Sequence, residues 1–401
     1  MKITSVEVFD CDVRSKDPSL SYFNPVLIRI HTDEGISGVG EAGLAYGSAS
    51  NAAVGIFKDL CPRLIGKDPM NIEAIWEDFF RGTFWGMGGG PVFYAGMSAI
   101  DIALWDIKGK KYNAPVYQLI GGKTNEKLRA YAGQLQFGWG DEQIALIEPS
   151  EYAEAAKKAV AEGFDCVKVD PIMFYGSTAE ENALKNPKQT FFGLLRAEDI
   201  RRAYNRMKAI RDAVGPDVDI ILEVHSLLGA NSAIQLARAL EEFDILYYEE
   251  PIHPMNSSSF ARVADKVNIP LATGERSYTR WGYRELFEKQ ALAVIQPDAC
   301  LAGGITETKK ICDYANLYDT TVQVHVCGSP VTTAVSLHIE TAIPNFIVHE
   351  HNTVALKARI IELCKYNYQP ENGYFKVPEL PGLGQELNDA VVKEYLAYTI
   401  S

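Results

Sequence analysis

Three acidic residues recur at a fixed interval in this chain, and together they could hold a metal ion. The intervals from Glu223 to Glu249 and from Glu249 to Glu275 are both 26 residues, and each acid closes a short apolar run with strand character. A lone glutamate in such a place is more often a solvated loop carboxylate. Three facing carboxylates repel one another unless a cation lies between them, and hard oxygen ligands without cysteine favour Mg²⁺ over zinc. We therefore predict a magnesium site.

A carboxylate and a histidine at the ends of two neighbouring apolar runs could move protons. Asp298 follows one run and His325 follows the next. A carboxylate beside an imidazole fixes the tautomer of the ring and raises its basicity. A lone histidine is more often a buried structural residue, but a place beside the predicted metal site favours chemistry. We predict that Asp298 and His325 form a catalytic dyad.

Other reactive side chains stand at further strand ends. Lys168 and Asp170 are two residues apart, and so are Glu223 and His225, which places each pair on one face of its strand. Glu350 ends the last predicted strand. Its neighbours on either side are histidines, which the same alternation turns away from the face of Glu350.

The elements that must position these residues alternate regularly between strand and helix from residue 128 onward. Helical patterns at 197–214, 232–242 and 306–317 fall between short apolar runs, as an eight-stranded parallel (β/α)₈ barrel of the TIM type requires. In such a barrel the carboxyl ends of the strands converge on one mouth. The predicted strands are 128–132, 166–170, 220–224, 245–248, 270–273, 293–297, 321–324 and 346–349.

The first part of the chain has a different pattern, with strands before helices. Strand patterns run to residue 42 and helical patterns dominate from 50 to 109, which indicates an α+β domain. We predict an N-terminal α+β capping domain at 1–125, the barrel at 126–360, and a C-terminal segment at 361–401 that packs on the capping domain.

Several segments could enclose a substrate. Residues 84–90 are rich in glycine and suit a mobile flap, and the polar stretch 172–195 is longer than a usual connection, which suggests a lid or a surface insertion without function. With Tyr22, Phe23 and Tyr46, these segments would set the identity of the substrate.

Composition excludes several classes of protein. The 401 residues are 47% hydrophobic, enough for a large core, and the net charge of −13 argues against a nucleic-acid or anionic-membrane surface. No apolar run approaches the roughly 20 residues that span a bilayer, and the start alternates like a strand rather than a signal peptide. The seven scattered cysteines fit reduced thiols. We expect a cytoplasmic protein.

Taken together, these motifs resemble the enolase superfamily, mandelate racemase subgroup, and most closely its acid-sugar dehydratases of the galactonate, gluconate and mannonate type. The resemblance implies one Mg²⁺ per subunit, bound by the three acids and chelating the substrate carboxylate, and a capping domain over the barrel. It also implies that Glu350 hydrogen-bonds the substrate carboxylate. The residues that carry it are Glu223, Glu249 in Glu-Glu-Pro, Glu275 in Thr-Gly-Glu-Arg, Asp298, His325, Glu350 and the apolar helix 99–106.

The chain departs from the family pattern at one strand. The racemases have two lysines where this chain has Lys168 and Asp170, so two-base racemisation is disfavoured, although Lys168 could act as an acid or stabilise an enolate. His225 resembles the extra histidine of the galactonate and gluconate dehydratases. The chain then has two candidate acid–base histidines, and the sequence leaves their assignment open.

The resemblance and the residues together predict a Mg²⁺-dependent dehydratase. It would remove the α proton and the β hydroxyl of an aldonate and yield a 2-keto-3-deoxy sugar acid. An epimerase, racemase or cycloisomerase on the same scaffold is the alternative, and a non-catalytic sugar-acid binding protein is the third reading. We expect a small-molecule sugar acid as partner, no nucleic acid or membrane, and a homo-oligomer.

Overall fold

The structure is a computed structural model that describes residues 1–17, 20, 23–140, 144–174 and 193–401. Tyr22 and most of the predicted lid, residues 175–192, lie outside the described residues. No helix in these described ranges is both long enough and apolar enough to cross a membrane.

Eight parallel strands form a closed barrel. From the first strand to the seventh, each strand pairs with the next in chain order, and the eighth strand pairs with the first. The barrel closes between its seventh and eighth strands through a bridge between Val322 and Phe346, which precedes the eighth strand. In this bridge the Val322 N–H donates to the Asn345 carbonyl at 2.8 Å. The strands are β4 (Lys127–Gly133), β5 (Cys166–Val169), β6 (Asp219–Glu223), β7 (Ile245–Glu249), β8 (Leu271–Thr273), β9 (Val294–Ile295), β10 (Thr321–Val322) and β11 (His349–Asn352).

Alternation along these strands decides which side chains enter the barrel. Ile220 and Leu222 of β6 pack outward in the large core beneath the helices, whereas Ile221 joins Tyr247 in the cluster that fills the barrel interior. Because side chains on a strand repeat every two residues, Glu223 follows Ile221 to the inside. Glu249 follows Tyr247 in the same way.

Helices cover the barrel and build much of the capping domain. The helix Ala197–Val214 has the bounds that the sequence predicts, and its buried face packs against the strands. The helices are α1 (Ser50–Leu60), α2 (Ile72–Gly82), α3 (Gly90–Tyr112), α4 (Val116–Leu119), α5 (Pro149–Ala161), α6 (Ala197–Val214), α7 (Ala230–Leu240), α8 (Ser257–Ala264), α9 (Thr279–Glu288), α10 (Gly304–Asn316), α11 (Pro330–Thr341), α12 (Ala358–Ile361) and α13 (Asp389–Val392).

The capping domain is built on a four-stranded antiparallel sheet. Its order is β13–β1–β2–β3, so the last strand of the chain lies beside the first. A further short strand, β12 (Tyr374–Lys376), pairs antiparallel with β4 of the barrel. The division of the chain at residues 125 and 360 stays a prediction. The sheet comprises β1 (Ile3–Asp10), β2 (Val26–Thr32), β3 (Ser37–Ala42) and β13 (Leu396–Ile400).

Buried carboxylates dock the capping domain on the barrel. Glu41, at the end of β3, accepts hydrogen bonds from the Ser329 N–H at 2.9 Å and the Thr332 hydroxyl at 2.7 Å, at the start of α11. Asp101 in α3 accepts the Thr306 N–H at 3.0 Å, at the start of α10. The first N–H groups of a helix have no partner within the helix and favour negative charge, so each acid stabilises a helix of the barrel.

The eighth strand lies later in the chain than the sequence predicts. The apolar run 346–349 suggests a strand, but only Phe346 of that run forms the bridge to β10, and the ladder with β4 begins at His349 and runs to Asn352. The strand consists of polar residues and therefore shows no hydrophobic pattern, although all of them are buried: Glu350 faces the site, and the two histidines pack outward.

The contact between β3 and α3 has no room for a side chain. A Cβ on Gly40 would overlap the carbonyl oxygen of Ala99. We expect Gly40→Ala to destabilise the protein by about 1–3 kcal/mol or more, because overpacking a tight contact forces the backbone apart. Urea unfolding followed by circular dichroism measures this change.

Gly55→Ala is the matched control, since a Cβ there meets nothing within 4 Å on the face of α1. We expect no loss at Gly55, and a gain of up to about 1 kcal/mol from the better helix propensity of alanine. Equal unfolding midpoints for the Gly40 and Gly55 variants would show that the β3–α3 contact is not tight.

Candidate active site

The three predicted metal ligands come together at the barrel mouth. Glu223 lies directly opposite Glu249 in the β6–β7 ladder, and Glu275 follows β8 by two residues. One carboxylate oxygen from each of the three lies within 4.8 Å of the others. Burial, together with the neighbouring Glu249 carboxylate, raises the pKa of Glu223 well above its usual range.

This cluster fits a hard divalent cation. Among the described residues, the buried Oε2 of Glu249 has no hydrogen-bond partner, so it has a free lone pair for a ligand. All donors in the group are carboxylate oxygens, which Mg²⁺ prefers. The three residues could therefore hold a metal ion.

Lys168 lies between these acids and Glu350. Its Nζ is 2.7 Å from Glu249 Oε1, 3.1 Å from Glu350 Oε1 and 3.6 Å from Glu223 Oε2. Burial opposes the charge on the amine, but the surrounding carboxylates outweigh it and raise the pKa of Lys168 well above its ordinary value. The carboxylates thus favour the charged form of Lys168, which lies on the floor of the site.

Glu350 extends from β11 into the same site. Its Oε2 accepts the backbone N–H of Val326 at 2.8 Å, which fixes the carboxylate beside the loop that carries His325. The flanking histidines point outward: His349 binds Glu340 of α11 at 2.6 Å, and His351 stacks on Phe164.

The structure brings Asp298 and His325 together. The His325 Nδ1–H donates to Asp298 Oδ2 at 2.8 Å, while Asp298 Oδ1 accepts the Cys300 N–H at 2.7 Å. The other ring nitrogen, Nε2, lies 3.5 Å from Glu275 Oε2. Burial disfavours the charged ring, yet Glu275, Glu350 and Asp298 raise the pKa of His325 to about 10.

A second pair of the same kind was not predicted from the sequence. The Nδ1–H of His225 donates to Asp170 Oδ2 at 2.9 Å. His225 and Ser226 both have left-handed backbone, with φ of 47° and 57°, so the ring reaches Asp170 by a turn and not by strand alternation. The available signal was an aspartate after one strand and a histidine after the next, the arrangement already recognised in Asp298 and His325.

Arg276 is another residue that sequence reasoning missed. Its Nε donates to Glu250 Oε2 at 2.9 Å, and its NH2 group lies 3.1 Å from Glu275 Oε1. Arg276 thereby holds the carboxylate of Glu275, one of the predicted metal ligands. Glu250 adopts a left-handed conformation with φ of 44°, which directs its side chain to this partner.

These groups line one cavity between the barrel and the capping domain. Its volume of about 600 Å³ suits a small-molecule ligand. Phe23 and Tyr46 line it, as the sequence suggested. Trp85 in the glycine-rich segment is 73% exposed and is not among the described residues that line the cavity. The chemical groups in the lining are Lys168, Glu223, His225, Glu275, Arg276, His325 and Glu350.

This arrangement can exchange protons on both sides of a bound acid. Lys168 supplies positive charge, and the acid cluster can take a cation. Two imidazoles, each with its Nδ1 held by a carboxylate, line the cavity. Such a set suits removal of a weakly acidic proton next to a carboxylate, followed by proton donation elsewhere.

Comparison with known proteins finds relatives that are described as dehydratases or as members of the enolase superfamily. A D-galactonate dehydratase from Ralstonia nicotianae is 33% identical over 374 residues, which cover 92% of this chain and 90% of the relative. A solved structure from Salmonella enterica serovar Typhimurium, provisionally described as a dehydratase, is 63% identical with a TM-score of 0.97 over 100% of both chains. A member of the enolase superfamily from Salmonella Typhimurium is 53% identical with a TM-score of 0.93, again over 100% of both chains.

Two family models also match and together span most of the chain. The N-terminal domain of mandelate racemase and muconate lactonizing enzyme matches residues 18–121, and the enolase C-terminal domain-like model matches residues 151–391. The chain therefore belongs to the mandelate racemase/muconate lactonizing enzyme family of the enolase superfamily.

Proposed function

We propose that this protein is a Mg²⁺-dependent dehydratase that converts an aldonate into a 2-keto-3-deoxy sugar acid. The observation that carries the proposal is the pair of carboxylate-held imidazoles, His225 and His325, that line one cavity with the acid cluster. Relatives named D-galactonate dehydratase support the reaction class.

We propose that Glu223, Glu249 and Glu275 hold one Mg²⁺ per subunit. When bound, the ion neutralises the negative charge that develops on the substrate carboxylate as its α proton leaves. The fit rests on three clustered carboxylates, with a buried oxygen of Glu249 that has no partner among the described residues.

The remaining residues bind the substrate and move its protons. Glu350 and Lys168 lie where they can contact the substrate carboxylate, the first through a hydrogen bond and the second through its charge. One imidazole takes the α proton on Nε2, a double bond forms between the α and β carbons, and the β carbon–oxygen bond breaks. The other imidazole donates a proton to the departing hydroxyl, which leaves as water, and the enol product becomes the 2-keto acid.

An epimerase, racemase or cycloisomerase is the second candidate. Imidazoles held by two separate aspartates could remove an α proton at one side and return a proton at the other. The position of the second racemase lysine is occupied by Asp170, which is engaged by His225, so this mode of racemisation lacks its usual base. A non-catalytic binding protein would not need two oriented imidazoles.

The setting of the enzyme also belongs to the proposal. We propose a cytoplasmic homo-oligomer that acts on a small-molecule sugar acid. Segments 1–125 and 361–401 would form the cap, and 126–360 would carry the chemistry.

We expect the purified protein to release an α-keto acid from one stereochemical group within a panel of hexonates, pentonates and aldarates. Release should require Mg²⁺ and stop in EDTA, because the acid cluster alone cannot neutralise the developing charge. A semicarbazide or thiobarbiturate assay measures the product. Silence across the panel together with α-proton exchange in heavy water would favour the isomerase instead.

We expect His325→Asn to lower turnover by about 10²–10⁴-fold, because asparagine cannot accept or donate the transferred proton. Mg²⁺ binding, measured by isothermal titration calorimetry, should be retained, since His325 is not a predicted metal ligand.

His253→Asn is the matched control, because His253 is exposed and does not line the cavity. Its turnover should equal that of the parent protein. An unchanged rate in the His325 variant would exclude His325 as a catalytic residue.

A further inference from the structure

Asp170 and Asp298 have the same local construction at two separate places in the barrel. Each uses Oδ1 to accept the backbone N–H two residues later, from Ile172 at 2.9 Å and from Cys300 at 2.7 Å. Each uses Oδ2 to accept the Nδ1–H of a histidine that follows the next strand. The two pairs are therefore repeated units and not one dyad with an incidental neighbour.

The two units lie on opposite sides of the barrel mouth. Asp170 and His225 follow the second and third barrel strands, whereas Asp298 and His325 follow the sixth and seventh. Four strands are half of an eight-stranded barrel, so the units are related by about half a turn. Both imidazoles line the same cavity, and a ligand in that cavity lies between them.

Asp170 is fixed more firmly than a surface carboxylate would be. Its side chain is fully buried, and its own N–H donates to Gln136 Oε1 at 3.2 Å. Among the described residues, the ring of His225 is the one titratable group within hydrogen-bond reach of the Asp170 carboxylate. The His225 side chain is 31% exposed, so the ring lies between a rigid anchor and the cavity.

The backbone at His225 is held in an unfavourable conformation. Left-handed φ values at two successive residues that are not glycine are unfavourable and persist only where the surroundings impose them. The His225 N–H donates to Glu223 Oε1 at 2.6 Å, and the Ser226 N–H donates to the Glu250 carbonyl at 3.0 Å. This turn places the ring on Asp170 with Nε2 left for the cavity.

We propose that Asp170 is a positioning residue for His225, which it holds by the hydrogen bond to Nδ1 so that Nε2 faces the cavity. In the proposed reaction the two aspartate–histidine units serve as the acid and the base. One unit takes the proton from the α carbon, and the electron pair of that bond forms the new double bond. The other unit gives its proton to the β hydroxyl, which departs with the electrons of the carbon–oxygen bond as water. This inference rests on the proposed dehydratase function.

The first test is a double-mutant cycle with Asp170→Asn, His225→Asn and the combined variant. Asp170→Asn should lower kcat by about 10²–10⁴-fold, the range of general acid–base catalysis, with little change in KM. In the His225→Asn background it should cause no further loss, because a positioning residue acts through its histidine. A further loss of tenfold or more in the combined variant would overturn the inference and assign Asp170 a structural role.

The second test separates the two proton transfers. Asp170→Asn and Asp298→Asn are each assayed for α-proton exchange in heavy water and for α-keto acid release. We expect one variant to lose both and the other to retain exchange while it loses release, because only one unit removes the α proton. Retention of both reactions at the parent rates in Asp170→Asn would overturn the role of Asp170.

Folding controls keep both tests decisive. Circular dichroism, the thermal midpoint and Mg²⁺ binding should match the parent protein, and Asp170→Ala is the second variant if Asp170→Asn fails to fold. Parent protein that releases no α-keto acid from any sugar acid would overturn the proposed function and this inference with it. Parent activity with an additive cycle would overturn only the role of Asp170.

Discussion

Repulsion among buried carboxylates is the constraint around which this site is built. Glu223, Glu249, Glu275 and Glu350 all enter the barrel mouth, where water cannot screen them fully. Lys168 touches three of the four. The remaining positive groups, Arg276 and the two imidazoles, lie around the rim and each contacts a carboxylate, so that every charge in the mouth has an opposite charge nearby. A divalent cation at the acid cluster, as we propose, would complete this balance and lower the cost of holding these side chains together.

The sequence predicts the parts of this arrangement that depend on a regular period. Two-residue alternation places Glu223 and Glu249 inside the barrel, and equal spacing places the acids on neighbouring strands. The pairing of Asp298 with His325 follows from the order of the strands. The order of the strands also brings Asp170 near His225. The His225 ring, however, is placed by a turn of two left-handed residues, and such a turn leaves no pattern of hydrophobic residues in the sequence.

Contacts between distant segments are the parts that sequence reasoning could not supply. Glu41 and Ser329 are 288 residues apart, and nothing in the pattern around either residue indicates the other. Asp101 lies in an apolar helix where an acid looks out of place, and the partner that explains it is the start of a barrel helix. The eighth strand belongs to the same class, because its polar residues are buried by partners from other segments, such as Glu340 for His349 and Phe164 for His351. Glu41 and Asp101 satisfy backbone N–H groups at helix starts, a demand that becomes visible only when the elements have been placed.

The position of β13 in the capping sheet has a consequence for how the chain folds during synthesis. Leu396–Ile400 lies on the edge of a sheet whose other strands are all within the first 42 residues. The first sheet to leave the ribosome is therefore among the last to be completed, and it must wait with an unpaired edge on β1 while the barrel is made. The cap therefore completes its sheet only when residues 396–400 have been made and have joined β1.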